Sequence, residues 1–263
     1  MNTAPGAALR AALAHRTLLI GPWVGIPDPT VVELMARLDN DFLLLDGEHS
    51  ALPAAALRPL LPCAELQRKP VIYRVPSHSA THLKHALDLG VSGVMVPMID
   101  TPRQAAAIVA ACRYAPLGAR GIGPWRASGY YEHFTDYLTC ANDHTTVILQ
   151  LESTVGLANL EAIAAVEGYD VLYAGPTDLA QAMGLPVGEF GPDLLATLER
   201  ICQAGLAAGK TLGIDAPGSA SLPMLRDLGF SFFTLGSDMG YLSEAGRAQA
   251  RELALLDIGK PRT

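Results

Sequence analysis

The sequence predicts an α/β chain closed into an eight-stranded (β/α)8 barrel, and three observations lead there. Eight short runs rich in apolar and β-branched residues recur along the chain, with Ala/Leu-rich segments of helical apolar spacing between them. Most steps from one run to the next are about 20 to 30 residues, the span of a βα unit. No GxGxxG follows the first run, as it would in an open dinucleotide-binding sheet, the structural competitor. A length of 263 residues suits a single barrel domain over 1–263, since barrels of roughly 250 residues fold as one unit.

Taken in order, GAALRAALAHR reads as an opening helix. The strands are LLIGPWV (18–24), FLLLD (42–46), VIYRV (71–75), GVMVP (93–97), TVILQLE (146–152), DVLYAG (170–175), TLGID (211–215) and SFFTLG (231–236). Each is a short apolar run, the form taken by a strand buried on both faces. The segments AAALRPLLPCAEL, THLKHALDLG, PRQAAAIVAACR and ANLEAIAAVEG carry apolar residues at helical spacing, with Gly near the exits. The step from the fourth strand to the fifth is about twice the usual length. Its extra stretch, GARGIGPWRASGYYEHFTDYLTCANDH, brings Gly, Trp and Tyr into a long loop, which is expected to cover a binding site.

Composition narrows the partners. Half the residues are apolar, 17 % are charged and the net charge is −7, with no basic stretch interleaved with aromatics, so nucleic acid is not expected. No segment approaches the ~18 continuous apolar residues of a membrane span. Cys63, Cys112, Cys140 and Cys202 are far apart and form no CxxC pair, which fits a reducing cytoplasm rather than a disulfide framework or zinc knuckle. The Ala- and Arg-bearing start could be mistaken for an organelle transit peptide; the first-helix reading is simpler.

In such barrels chemistry sits at the carboxyl ends of the strands. Reading those positions gives Trp23, Asp46, Glu48, His49, Arg74, Pro97, Gln150, Glu152 and Gly175 to Asp178. Glu152 and Asp178 end adjacent strands and can converge on one ion; two carboxylates with open positions suit Mg²⁺ or Mn²⁺. Taken singly, each would more often be a helix cap or an ion-pair partner. Asp46 and His49 lie three apart in DGEHS, where a turn can bring carboxylate to imidazole and make a usable base. The competing reading has Asp46 satisfying backbone amides. Arg74, within a strand, needs an anion: a substrate carboxylate or enolate held by its fork, or a neighbouring acid such as Asp46. Gly175, Pro176 and Thr177 form a turn before a short helix, exposing amides to an anion. His78, His82 and His85 in HSATHLKH lack the acidic partner of a metal-binding HExxH pattern and read as solvated helix surface.

FLLLDGEHS, RVP, GVSGVMVPMIDTPRQAAAIV, RGIG, ILQLES, YAGPTDLAQAMG and FFTLGSDMGYL together resemble the HpcH/HpaI aldolase family of metal-dependent class II pyruvate aldolases, in order from about Trp23 to Tyr241. The resemblance implies a TIM barrel of the phosphoenolpyruvate/pyruvate type, with its C-terminal helix exchanged between neighbours in a homo-oligomer, a hexamer by preference. It implies reversible cleavage of 4-hydroxy-2-oxo acids to pyruvate and an aldehyde through an enolate held on a divalent metal ion, Mg²⁺, Mn²⁺ or Co²⁺. By motif position Glu152 and Asp178 would bind that ion. Arg74 would contact the enolate oxygen, and Gln150 with the turn at Gly175, Pro176 and Thr177 would orient the pyruvyl group beside Trp23. His49, paired with Asp46, would move protons, and Glu48 would support them. The RGIGPWRASGYY loop is a residue shorter than in some relatives, which leaves the aldehyde open.

Three other activities compete on the same barrel. Oxaloacetate decarboxylation passes through the same enolate. A CoA-thioester lyase would need a basic groove for the CoA phosphates, which the sequence does not offer. A non-catalytic keto-acid-binding barrel would not need the whole set of Asp46, His49, Arg74, Glu152 and Asp178. Schiff-base chemistry lacks a lysine at the active rim, since Lys69, Lys84 and Lys210 are expected elsewhere.

Overall fold

The computed structural model describes residues 5–255. Helix α1 (Pro5–Ala14) is followed by strands β1 (Leu19–Val24), β2 (Leu43–Asp46), β3 (Val71–Arg74), β4 (Gly93–Val96), β5 (Thr146–Leu151), β6 (Val171–Ala174), β7 (Thr211–Ala216) and β8 (Phe232–Ser237). Each pairs in parallel with the next, and β8 pairs with β1, closing the barrel. Every predicted strand matches an observed one to within one residue at either end. Outside the strands lie α2 (Pro29–Arg37), α3 (Leu57–Leu66), α4 (Ala80–Leu89), α5 (Pro102–Cys112), α6 (Phe134–His144), α7 (Thr154–Ala158), α8 (Leu160–Ala164), α9 (Pro176–Ala182), α10 (Pro192–Ala207), α11 (Leu222–Leu228) and α12 (Asp238–Leu255).

Strand periodicity sets what points where. Successive side chains alternate between the lumen and the helical layer. Phe42, Leu44, Ile72, Met95, Ile148, Val171, Tyr173 and Phe232 share one buried cluster, which is the barrel lumen. Leu43, Leu45, Tyr73, Val94, Val147, Leu149 and Leu172 belong to the other, packed under the helices. Moving two residues on from a lumen position therefore reaches the carboxyl mouth: Leu44 leads to Asp46, Ile72 to Arg74, Ile148 to Gln150 and then to Glu152. The amino-terminal end is plugged by α1, whose Leu9 and Leu13 join the lumen cluster. Gly21 is required inside, because a Cβ there would meet the Phe42 ring at 2.5 Å, and Phe42 stacks on Phe232 at 4.4 Å.

The extra stretch before β5 does not cover the mouth of its own barrel. It follows α5, so it belongs to a helix-to-strand connection, and such connections return at the amino-terminal end. Arg126 donates to the Leu89 carbonyl at the end of α4 and pairs with Glu65 near the end of α3. Arg113 donates to the Asn142 and Thr145 carbonyls around the end of α6. The sequence reading treated the stretch by its length and aromatic content; its position after a helix was the stronger signal. The final helix, α12, leaves the barrel with nearly all its side chains exposed, Asp238 alone being buried among its residues.

Candidate active site at the carboxyl mouth

A cavity of about 310 Å³ opens at the carboxyl ends of the strands. Of the residues picked out from sequence, Trp23, Asp46, Arg74, Gln150, Gly175, Pro176, Thr177 and Asp178 line it. Glu152 lies behind Gln150 and Gly175, and His49 stands at the rim with its side chain 66 % exposed.

Arg74 is the hub. Its Nε donates to Asp46 Oδ1 at 2.8 Å, its Nη1 lies 3.2 Å from Glu48 Oε2, and its guanidinium carbon sits 4.2 Å from the centre of the Trp23 ring. The Glu48 contact is ionic without hydrogen-bond geometry, since Glu48 Oε2 has no hydrogen-bond partner. Burial pushes the Asp46 carboxyl up, but the Arg74 hydrogen bond and charge, with the amides of Glu48 and His49, outweigh it and hold the carboxyl below its ordinary value. Glu48 goes the other way: burial lifts it further than Arg74 brings it back.

The hydrogen bond expected between Asp46 and the His49 imidazole is not formed. Asp46 Oδ1 accepts from the Glu48 amide at 3.0 Å and the His49 amide at 3.3 Å, closing the turn, while Ser50 Oγ donates to the Asp46 carbonyl. His49 Nε2 instead faces Glu48 Oε2 at 3.6 Å. The physical reason is register. Asp46 and Arg74 stand opposite each other on neighbouring strands with both side chains in the mouth, so a buried guanidinium claims the carboxylate first.

Glu152 is almost fully buried, with Oε1 accepting from the Met98 amide at 2.7 Å and Oε2 from Gln150 Nε2 at 2.5 Å. Met98 adopts φ 53°, a region that side-chain-bearing residues seldom occupy and that costs on the order of 1 to 3 kcal/mol. Burial pushes the Glu152 carboxyl up to about 7; the Met98 amide opposes this, and the charges of Asp178 and Glu48 add to it. Gly175 is needed here, because a Cβ would lie 2.6 Å from Glu152 Oε2. Gln150 Oε1 is buried without a partner, an acceptor that a bound group would satisfy.

Among the described residues, no three His, Cys, Asp or Glu side chains converge tightly enough to enclose a metal by themselves. Glu152 and Asp178 are the pair that could hold a cation, with the remaining positions open to water and substrate oxygens. The three histidines of HSATHLKH have separate surroundings: His78 contacts the Pro97 carbonyl at 2.6 Å, His82 contacts Ser77 Oγ at 2.9 Å, and His85 is exposed.

The sequence reading missed the opposite wall. Trp23 Nε1 donates to Asp215 Oδ1 at 2.8 Å, Thr234 Oγ1 donates to the same oxygen, and Tyr173 hydrogen-bonds Thr234 Oγ1 at 2.5 Å. Burial lifts the Asp215 carboxyl against the Thr234 and Trp23 hydrogen bonds. Asp238 accepts from the Gly25 and Ile26 amides and ties the segment after β1 to the start of α12. Asp215 was legible, since TLGID ends on it, had the strand-end rule been carried past the sixth strand.

Comparison with known proteins agrees with this architecture. The family model described as HpcH/HpaI aldolase/citrate lyase matches residues 19–245. A 5-keto-4-deoxy-D-glucarate aldolase from Salmonella paratyphi C is 35 % identical over 245 residues, 93 % of this chain and 94 % of the relative. An HpcH/HpaI aldolase/citrate lyase family protein from Burkholderia cenocepacia superposes with TM-score 0.88 at 32 % identity, covering 94 % of this chain and 99 % of that one. The citrate lyase β subunit of M. tuberculosis, complexed with oxaloacetate and magnesium, shares the fold at TM-score 0.59 and 16 % identity over 87 % of this chain and 95 % of that one. No helix among the described residues is long and apolar enough to cross a membrane. This chain is a carbon–carbon lyase of the aldolase type, and it belongs to the HpcH/HpaI aldolase/citrate lyase family.

Proposed function

We propose that the chain cleaves 4-hydroxy-2-oxo acids to pyruvate and an aldehyde, reversibly, with Mg²⁺, Mn²⁺ or Co²⁺ held by Glu152 and Asp178. The observation that carries this reading is the charge pattern of the mouth. Carboxylates of Glu48, Glu152 and Asp178 act on one another, Glu152 is pushed up to about 7, and Gln150 Oε1 lacks a partner. A divalent cation relieves that repulsion and, when bound, supplies electrostatic stabilisation to a developing enolate oxygen.

The chain's own residues do the rest. Arg74 commits Nε to Asp46 and Nη1 to Glu48, and its Nη2 makes no hydrogen bond or ion pair among the described residues. That edge is free for the C2 oxygen of a 2-oxo acid, where negative charge grows as the C3–C4 bond breaks. First-turn amides of α9 have no intrahelical partners and can take the substrate carboxylate, while Gln150 fixes the pyruvyl group from the side. His49 at the rim accepts the C4 hydroxyl proton, the aldehyde departs, and the electrons of the broken bond pass to the C2 oxygen as the enolate forms. Protonation at C3 then gives pyruvate. The sugar-acid substrate in the name of the Salmonella relative supports this substrate class.

A homo-oligomer, by preference a hexamer with α12 exchanged, and a cytoplasmic setting belong to the same proposal. Exposed Trp125, Tyr130 and Tyr131 on the outer wall and the free cysteines support them. The test is a retro-aldol screen of 4-hydroxy-2-oxo acids with each cation, reading pyruvate by a coupled dehydrogenase, with oxaloacetate included. Pyruvate from the hydroxy acids supports the reading; release from oxaloacetate alone replaces it with a decarboxylase.

A further inference from the structure

The proposed cation and the enolate use one side of the mouth, formed by Arg74, Gln150, Glu152 and Asp178. The other side is the wall where Asp215 stands on β7. Its Oδ1 is occupied by Trp23 Nε1 and Thr234 Oγ1, and Thr234 is itself fixed by Tyr173. Asp215 Oδ2 makes no hydrogen bond among the described residues. One oxygen is thus clamped and the other is free to accept.

The main cavity also continues past this point. Asp215, Pro176 and Thr177 line both it and a side pocket of about 140 Å³, whose remaining lining includes Glu189, Phe190, Leu194 and Pro217. A substrate whose pyruvyl end lies against Arg74 and Gln150 has this wall and the side pocket open to its far end.

We infer that Asp215 selects the aldehyde, accepting a hydrogen bond from a hydroxyl on the carbon beside the aldehyde group. This rests on the lyase reading above. A fixed acceptor left without its donor penalises an aldehyde lacking the hydroxyl, because the carboxylate has been stripped of water for nothing.

The test is condensation of pyruvate with glycolaldehyde and propanal, which place a hydroxymethyl and an ethyl group beside the same aldehyde carbon. The readout is the ratio of kcat/KM values within each protein, so it does not depend on how much of a variant is folded. The wild-type protein should favour glycolaldehyde over propanal by roughly 10- to 100-fold, the worth of one hydrogen bond to a charged acceptor. Asp215→Leu should bring that ratio to near one. Asp215→Asn keeps an acceptor in the same place, so it should retain a preference for glycolaldehyde over propanal. A wild-type ratio near one, or an Asp215→Leu ratio equal to the wild type, overturns the inference. Deuterium exchange at pyruvate C3 by the wild-type protein, which needs no aldehyde, reports on the lyase reading separately; its absence would remove both.

Discussion

Asp46 and Arg74 are register partners on β2 and β3, and the guanidinium Nε donates to the carboxylate at 2.8 Å with both side chains nearly buried. Removing one partner of such a pair costs about 3 to 5 kcal/mol, because the other is left buried and uncompensated. Asp46→Ala should therefore lower the thermal midpoint by on the order of 10 °C in calorimetry. An unchanged midpoint would mean that Arg74 finds another partner at no cost.

Arg74→Lys tests the same side chain as an oxyanion donor. An ammonium is a point charge and cannot hold Asp46, Glu48 and a substrate oxygen along three edges of one plane. The expected loss in kcat is about 10²-fold or more, the scale of one oxyanion-hole donor. A near-normal kcat in steady-state assays would leave Arg74 a structural role only.

Glu152 gives a pH dependence with a definite sign. Its ordinary value is near 4.5 and burial first, then the neighbouring carboxylates, push it up to about 7. Between those values the unfolded chain has released the proton and the native chain has not, so metal-free stability falls as pH rises from 4.5 to 7. Glu152→Gln removes this, and Gln150 can turn its unpartnered Oε1 toward the new amide. In chelator at pH 8 the variant should exceed the wild type by on the order of 3 kcal/mol, from 1.36 kcal/mol per pH unit. The gain should vanish below pH 4.5 and reverse when Mn²⁺ is added. Calorimetry over that pH range checks it; equal stabilities throughout would contradict the shift.

His49 is exposed and bears no packing, so His49→Ala should leave the thermal midpoint and Mn²⁺ affinity unchanged. Aldol cleavage should fall by roughly 10² to 10⁴, the usual worth of a positioned acid or base. Loss of Mn²⁺ affinity in titration calorimetry would make the histidine a ligand instead.

Much of this was legible in the sequence, and what was not has physical reasons. Strand alternation carried Asp46, Arg74, Gln150 and Glu152 to the mouth, because in a closed barrel every second residue faces inward and Leu44, Ile72 and Ile148 fix the phase. Gly175 was visible as a turn; that it clears space for Glu152 was not, since that depends on two chain segments meeting. The Asp46–His49 expectation failed because spacing within DGEHS cannot weigh a residue from the next strand, and Arg74 lies opposite Asp46. The aromatic loop reads from its length and content as the cover of a binding site, while its place after α5 sends it to the amino-terminal end of its own barrel.

The central claim is that this mouth forms the enolate of pyruvate with a cation on Glu152 and Asp178. Solvent deuterium exchange at pyruvate C3, followed by proton NMR, tests it without any choice of aldehyde. The account predicts rapid exchange with Mg²⁺, Mn²⁺ or Co²⁺, loss of exchange in chelator, recovery on adding the cation back, and little exchange in Glu152→Gln or Arg74→Lys. Exchange at the buffer rate in the folded, cation-loaded wild type, or full exchange in a verified metal-free preparation, would contradict it.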